Sequence, residues 1–143
     1  KWWPRAAAMH RAEALELLDQ VGLRALADQP CSALAYGDIK TVELAVALAN
    51  RPSLLLMDEP TAGMAPRERS ALMILTRRLV KERGIGVLFT AHSMDVVFAH
   101  ADRIMVLARG RLIAQGAPDE IRGNAEVAEV YLGSGRLHAG GLA

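Results

Sequence analysis

Leu54-Leu55-Leu56-Met57-Asp58-Glu59-Pro60-Thr61 sets an unbroken apolar run directly before two carboxylates and a proline. A short run of this kind, without alternation, is expected for a parallel strand covered on both faces. Asp58 and Glu59 then stand at the carboxyl end of that strand. In layered α/β sheets, ligands bind beyond that edge.

Outward from this strand, helices and strands alternate. Upstream, Ala8, Met9, Ala12, Leu15, Leu18 and Val21 recur at steps of three and four, predicting an amphipathic helix over 6–21 that Gly22 ends. A second helix is predicted from about Gly37 to Asn50, where Pro52 forbids its continuation. Downstream, a turn over 60–66 leads to a helix over 67–83 stopped by Gly84 and a second buried strand over 85–91. A brief helix over 94–100 follows, with Ser93 as N-cap, then a strand over 103–107. Arg109-Gly110 predicts a hairpin to 111–114 at the sheet edge, and two small helices, 118–122 and 125–132, close the core. Residues 133–143 are glycine-rich and read as a loose tail. The pattern specifies a layered α/β fold with a mostly parallel sheet.

Composition excludes several classes of function. The 143 residues carry 17 Lys+Arg against 16 Asp+Glu, so no global field favours nucleic acid or an anionic membrane surface. Cys31 is the single cysteine and no Cys/His cluster has zinc spacing, which fits a reducing cytosol rather than a disulfide scaffold. Apolar stretches are far shorter than the roughly 18–20 residues of a membrane helix. The chain opens Lys1-Trp2-Trp3-Pro4, without the order of a secretory signal, and is expected to be an internal fragment; its frequent Ala and Arg suggest a GC-rich bacterial source.

Asp58, Glu59 and His92 fall together at the strand ends, which is the first functional indication. A carboxylate leaving an apolar strand suits a magnesium ion held through water, since hard cations prefer oxygen ligands. Its neighbour Glu59 projects differently and suits orienting a water for in-line attack on a terminal phosphate. Upstream, Leu34-Ala35-Tyr36-Gly37-Asp38 opens a helix whose free N–H groups and positive dipole end favour an anion, and Gly37 permits close backbone approach.

Three ordered motifs resemble those of the ATP-binding cassette (ABC) ATPases. Residues 54–61 resemble the magnesium-binding strand in which glutamate directly follows aspartate. Residues 34–38 are similar to the signature motif, which implies that Ala35, Tyr36, Gly37 and Asp38 meet the γ-phosphate of ATP held by an opposite subunit. Thr90-Ala91-His92-Ser93-Met94-Asp95 resembles the switch region, which implies a γ-phosphate contact for His92. Between them, Thr61-Ala62-Gly63-Met64-Ala65-Pro66 takes the place of the D-loop, implying that Gly63, Met64 and Ala65 line a dimer interface. The likeness runs from about Ala6 to Gly133. It implies a P-loop NTPase-type fold of which this chain is the C-terminal half: 1–50 part of the helical signature subdomain, 51–133 the C-terminal part of the ATPase core, and 134–143 a flexible tail.

The resemblance implies ATP and Mg2+ as cofactors, with Asp58 at the metal and Glu59 and His92 catalytic. It implies a second ABC ATPase subunit, identical or not, and transmembrane permease subunits as partners. Peripheral association at the cytoplasmic face of a bacterial inner membrane follows, without nucleic acid. The ending, 110–121 with Val127 and Val130-Tyr131-Leu132-Gly133, looks like ATPase subunits of branched-chain amino-acid importers and of the related urea importers. Tyr36 and Gly63-Met64 fit the same group.

The pattern also breaks. No Gly-x-x-x-x-Gly-Lys-Ser/Thr occurs in these residues, so firm ATP binding by this chain alone is not expected. Ala35 replaces the usual serine, Asp38 the usual glutamine or glutamate, Ala65 an aspartate or asparagine, and Val46 a frequent arginine. These changes leave open a slow or one-sided ATPase and a degenerate copy. Two other readings stand beside the importer subunit: a DNA-repair or chromosome-organising ATPase, whose coiled coils are missing here, and a truncated, non-catalytic dimerisation partner. Exposed sheet edges and poor solubility are expected of the isolated chain.

Overall fold

In chain order, the computed structural model, which describes residues 9–136 and their side chains as far as 131, has helix α1 (Arg11–Gln20), α2 (Tyr36–Ala49), β1 (Leu54–Asp58), α3 (Pro66–Arg83), β2 (Gly86–Thr90), α4 (Met94–His100), β3 (Ile104–Ala108), β4 (Arg111–Gly116), α5 (Pro118–Arg122) and α6 (Ala125–Arg136). Two single 3₁₀ turns, Arg24–Leu26 and Cys31–Ala33, join α1 to α2.

Local chemistry sets the boundaries. At α3, Pro66 supplies a preset φ and has no N–H to leave unpaired, while the Glu68 carboxylate accepts from the Ala65 N–H at 3.1 Å. Gly84 ends the helix at φ 65, and the Ile85 N–H reaches back to the Val80 carbonyl at 2.9 Å. The same device recurs at α5, where Glu120 accepts from the Ala117 N–H at 2.7 Å. Asn124 Oδ1 accepts from the N–H groups of Glu126 and Val127 and so starts α6. That helix runs on to Arg136 instead of stopping at 132. The rest of the expected tail, and the opening Lys1-Trp2-Trp3-Pro4, lie outside the described residues.

The chain divides into two compact units between His92 and Ser93. In the first, β1 and β2 pair in parallel with Leu54 opposite Gly86 and Asp58 opposite Thr90, and α3 makes the crossover. Leu55 from the strand, Leu44 and Leu48 from α2, and Leu72 and Leu79 from α3 form its core. The opposite face of the pair is bare: Leu54 is 53%, Leu56 67% and Leu88 48% exposed. This corrects the expectation of a strand covered on both faces. Among the described residues, packing reaches only the Leu55 side.

The second unit holds the hairpin of β3 and β4, closed by Arg109 at φ 49 and Gly110 at φ 75. Two positive φ values in a two-residue loop match the right-handed twist of the flanking strands. Ile104, Val106, Ile121 and Val127 form its core. The expected hairpin is present, yet among the described residues its strands pair only with each other and do not extend the parallel pair.

Arg83 ties the helices of the first unit together. Its guanidinium donates to the Leu48 carbonyl at 3.2 Å and to Oε1 of Gln20, and Arg78 adds a bond to the Gln20 carbonyl at 2.9 Å. Arg83→Ala leaves the carbonyl at the end of α2 without its charged donor, and is expected to lower stability by about 1–3 kcal/mol. A urea titration followed by circular dichroism checks this; an unchanged midpoint would contradict it.

Candidate functional site

Because β1 and β2 run parallel in register, their carboxyl ends deliver Asp58-Glu59 and Ala91-His92 to one edge of the pair. Glu59 turns out of the strand at φ 42, a left-handed conformation that costs a non-glycine residue roughly 1–2 kcal/mol. Its N–H is held by the Thr90 carbonyl at 3.1 Å and by Thr90 Oγ1 at 3.0 Å. The turn places Oε2 of Glu59 3.1 Å from Nδ1 of His92. With side chains 44% and 73% exposed, this pair adds little to stability, about 0–1 kcal/mol at most. What it supplies is a shared orientation of two polar groups at an open edge.

Asp58 also stands at this edge, with Oδ1 accepting a hydrogen bond from the Thr90 hydroxyl. Among the described residues no three acidic, His or Cys side chains converge closely enough to hold a metal by themselves. A single exposed carboxylate with one oxygen engaged suits a cation carried mainly by other oxygen ligands, such as phosphates and water. The residues therefore fit magnesium in the water-mediated manner expected of Asp58, and do not fit a self-sufficient metal cage.

The residues of 34–38 lie at the start of α2. Ala35 precedes the helix in extended backbone and is exposed, Tyr36 is its first residue, and Asp38 sits in its first turn. Tyr36 reaches across to the 61–65 turn, where its hydroxyl donates to the Ala62 carbonyl at 3.2 Å. Gly63, at φ 74, lies under the tyrosine ring, and a Cβ there would be 3.6 Å from it. Lys40 Nζ lies 5.6 Å from the centre of that ring and 2.9 Å from Glu43, whose hydrogen bond raises the lysine pKa. At Gly37 a Cβ would meet Glu68 Oε1 at 3.3 Å, so the starts of α2 and α3 are close neighbours. Met64 is buried in the core at 4% exposure, leaving Gly63 and Ala65 as the outward surface of the turn. The Ala62 N–H bonds the Glu59 carbonyl at 3.0 Å, so this turn connects directly to the acidic pair.

Two features escaped the sequence reading. The motif over 90–95 gives Thr90 no role of its own; its available signal is a hydroxyl residue ending an apolar strand. The tether from Tyr36 to Ala62 joins residues far apart in sequence and had no local signal.

A family model described as "ABC transporter" matches residues 6–62, spanning the helix at 34–38 and the acidic pair. The backbone superposes on an ATP-binding cassette of an ABC transporter solved in its ADP conformation with a TM-score of 0.77 and 31% identity, over 84% of this chain and 48% of that one. The chain belongs to the ATP-binding cassette family. A second family model, "Branched-chain amino acid ATP-binding cassette transporter", matches 111–136 of this cassette chain. Among curated relatives, it is 37% identical over 116 residues to the high-affinity branched-chain amino acid transport ATP-binding protein BraF of Pseudomonas aeruginosa, covering 81% of this chain and 46% of BraF. It is also 37% identical over 111 residues to the phosphonates import ATP-binding protein PhnC of Lactiplantibacillus plantarum, covering 78% of this chain and 43% of PhnC. The cassette chain thus spans about half the length of the curated relatives it matches. Among the described residues, no helix is long and apolar enough to cross a membrane.

Proposed function

We propose that this chain is the carboxylate- and signature-bearing part of an ATP-hydrolysing subunit that energises an importer. The observation that carries the proposal is the placement of Asp58, Glu59 and His92 on one edge, at the carboxyl ends of two in-register parallel strands, with Glu59 3.1 Å from His92, in a member of the cassette family. Residues 1–50 serve as part of the helical signature subdomain and 51–133 as the C-terminal part of the ATPase core. ATP is the substrate, and none of these residues is assigned the grip on its phosphates, since they hold no Gly-x-x-x-x-Gly-Lys-Ser/Thr loop.

In this reading Asp58 holds Mg2+ through water, and the cation supplies neutralising charge to the phosphate oxygens. Glu59, turned outward by its left-handed backbone, accepts a hydrogen bond from the attacking water and aims it in line. His92 contacts the terminal phosphate from the end of β2, and its proximity to Glu59 lets each report on the position of the other. Ala35, Tyr36, Gly37 and Asp38 present the start of α2 to nucleotide on a second ATPase subunit. The tether from Tyr36 to Ala62 keeps that surface in step with Gly63 and Ala65, while Met64 anchors the turn in the core. Permease subunits hold the pair at the cytoplasmic face of the membrane.

The solute we propose is a branched-chain amino acid. Overall identity does not choose it, since the match to PhnC equals that to BraF. The supporting observation is the separate match of the branched-chain model to the hairpin strand and last helix, 111–136. The test is a fusion of the N-terminal half of BraF to this chain, assayed for leucine uptake in cells lacking their own BraF. Restored leucine uptake is expected. A fusion that hydrolyses ATP but restores only urea or phosphonate uptake overturns the solute.

A further inference from the structure

Thr90 closes β2 at the register position opposite Asp58. Its hydroxyl is engaged twice: Oγ1 donates to Oδ1 of Asp58 and accepts the N–H of Glu59 at 3.0 Å. A hydroxyl has one proton and two lone pairs, so both bonds form together without competition. One side chain therefore grips the carboxylate of the first acidic residue and the backbone of the second. It does so where Glu59 adopts a left-handed φ of 42, a conformation that persists only when its surroundings enforce it. Thr90 lies exposed at the strand end, where threonine is an ordinary strand residue, and its two bonds are what set it apart. Val87, Leu88 and Phe89 precede it, and valine, nearly the same shape as threonine, would suit the strand equally well.

We infer that Thr90 is a positioning residue for the cation and water sites. Its donated proton fixes the orientation of the Asp58 carboxylate, leaving Oδ2 to face a hydrated cation. Its accepted bond adds to the bond from the Glu59 N–H to the Thr90 carbonyl in supporting the turn that directs Glu59 outward. The inference rests on the reading of Asp58 as the magnesium carboxylate and Glu59 as the water-orienting one. Partners that orient a metal-binding carboxylate commonly contribute 10- to 100-fold to metal affinity.

The test uses the fusion of the N-terminal half of BraF to this chain, loaded with a non-hydrolysable ATP analogue and titrated with Mn2+ by electron paramagnetic resonance. Thr90→Val is expected to weaken Mn2+ binding about tenfold, and Thr90→Ser, which keeps the hydroxyl, to stay within about twofold of the parent. Analogue binding measured without metal should be unchanged in both. In the 143-residue chain itself, hydrogen exchange at the Glu59 amide should quicken several-fold in Thr90→Val and not in Thr90→Ser. Equal Mn2+ affinity in Thr90→Val and the parent overturns the inference, as does an equal loss in Thr90→Ser. Turnover of Glu59→Gln in the same fusion separates the two levels. If that variant retains full activity, the reading of the site fails, while the exchange comparison still decides whether Thr90 holds the turn.

Discussion

Glu59→Gln is expected to lower ATP turnover by about 10²- to 10⁴-fold in the fusion of the N-terminal half of BraF to this chain. Glutamine keeps the shape of the side chain and can still meet His92 across the 3.1 Å gap, but it loses the charge that, in the proposed function, orients and polarises a water. At about 1.36 kcal/mol per decade, the loss corresponds to roughly 3–5 kcal/mol of transition-state stabilisation. ATP binding should persist, because the proposed function gives Glu59 the attacking water and not the grip on the phosphates; the deficit therefore appears in kcat with KM little changed. Steady-state hydrolysis and equilibrium nucleotide binding check the two halves of this expectation. Unchanged turnover would remove Glu59 from the role assigned to it.

Leu48→Ala is expected to cost about 2–5 kcal/mol of stability. Leu48 is 1% exposed and packs among Leu44, Leu55, Leu72 and Leu79, where α2, α3 and β1 meet. A domain of this size has roughly 5–15 kcal/mol to lose, and this one leaves one face of its parallel pair without a covering layer. The variant should therefore populate the unfolded state in mild urea. Leu56→Ala is the informative contrast, since Leu56 is 67% exposed on the bare face. It is expected to shift stability by no more than about 0.5 kcal/mol and to improve solubility. Chemical denaturation of the two variants side by side decides it; similar losses in both would mean that the Leu56 face is packed in solution.

The placement of helices and strands was legible because its signals are local. Pro66 with Glu68 starts α3, Gly84 ends it, and Arg109-Gly110 permits only a tight hairpin. The acidic pair and His92 were legible too, since an apolar strand ending in polar residues puts those residues at a predictable edge. Burial was not legible. An apolar run such as 54–57 is written identically whether one face or both are covered, and the covering layer comes from elsewhere in the chain or from beyond it.

The sequence by itself determined the order of elements, the family and the polar residues that stand at the strand ends, because caps, turns and ordered motifs act over a few positions. Only the tertiary structure decided which of those residues meet. The parallel register sets Thr90 opposite Asp58, the left-handed turn brings Glu59 to His92, and Tyr36 crosses to Ala62. Each of these depends on backbone geometry accumulated across a whole crossover. Hydrogen bonds form or fail within a few tenths of an ångström, a precision that spacing along the chain does not carry.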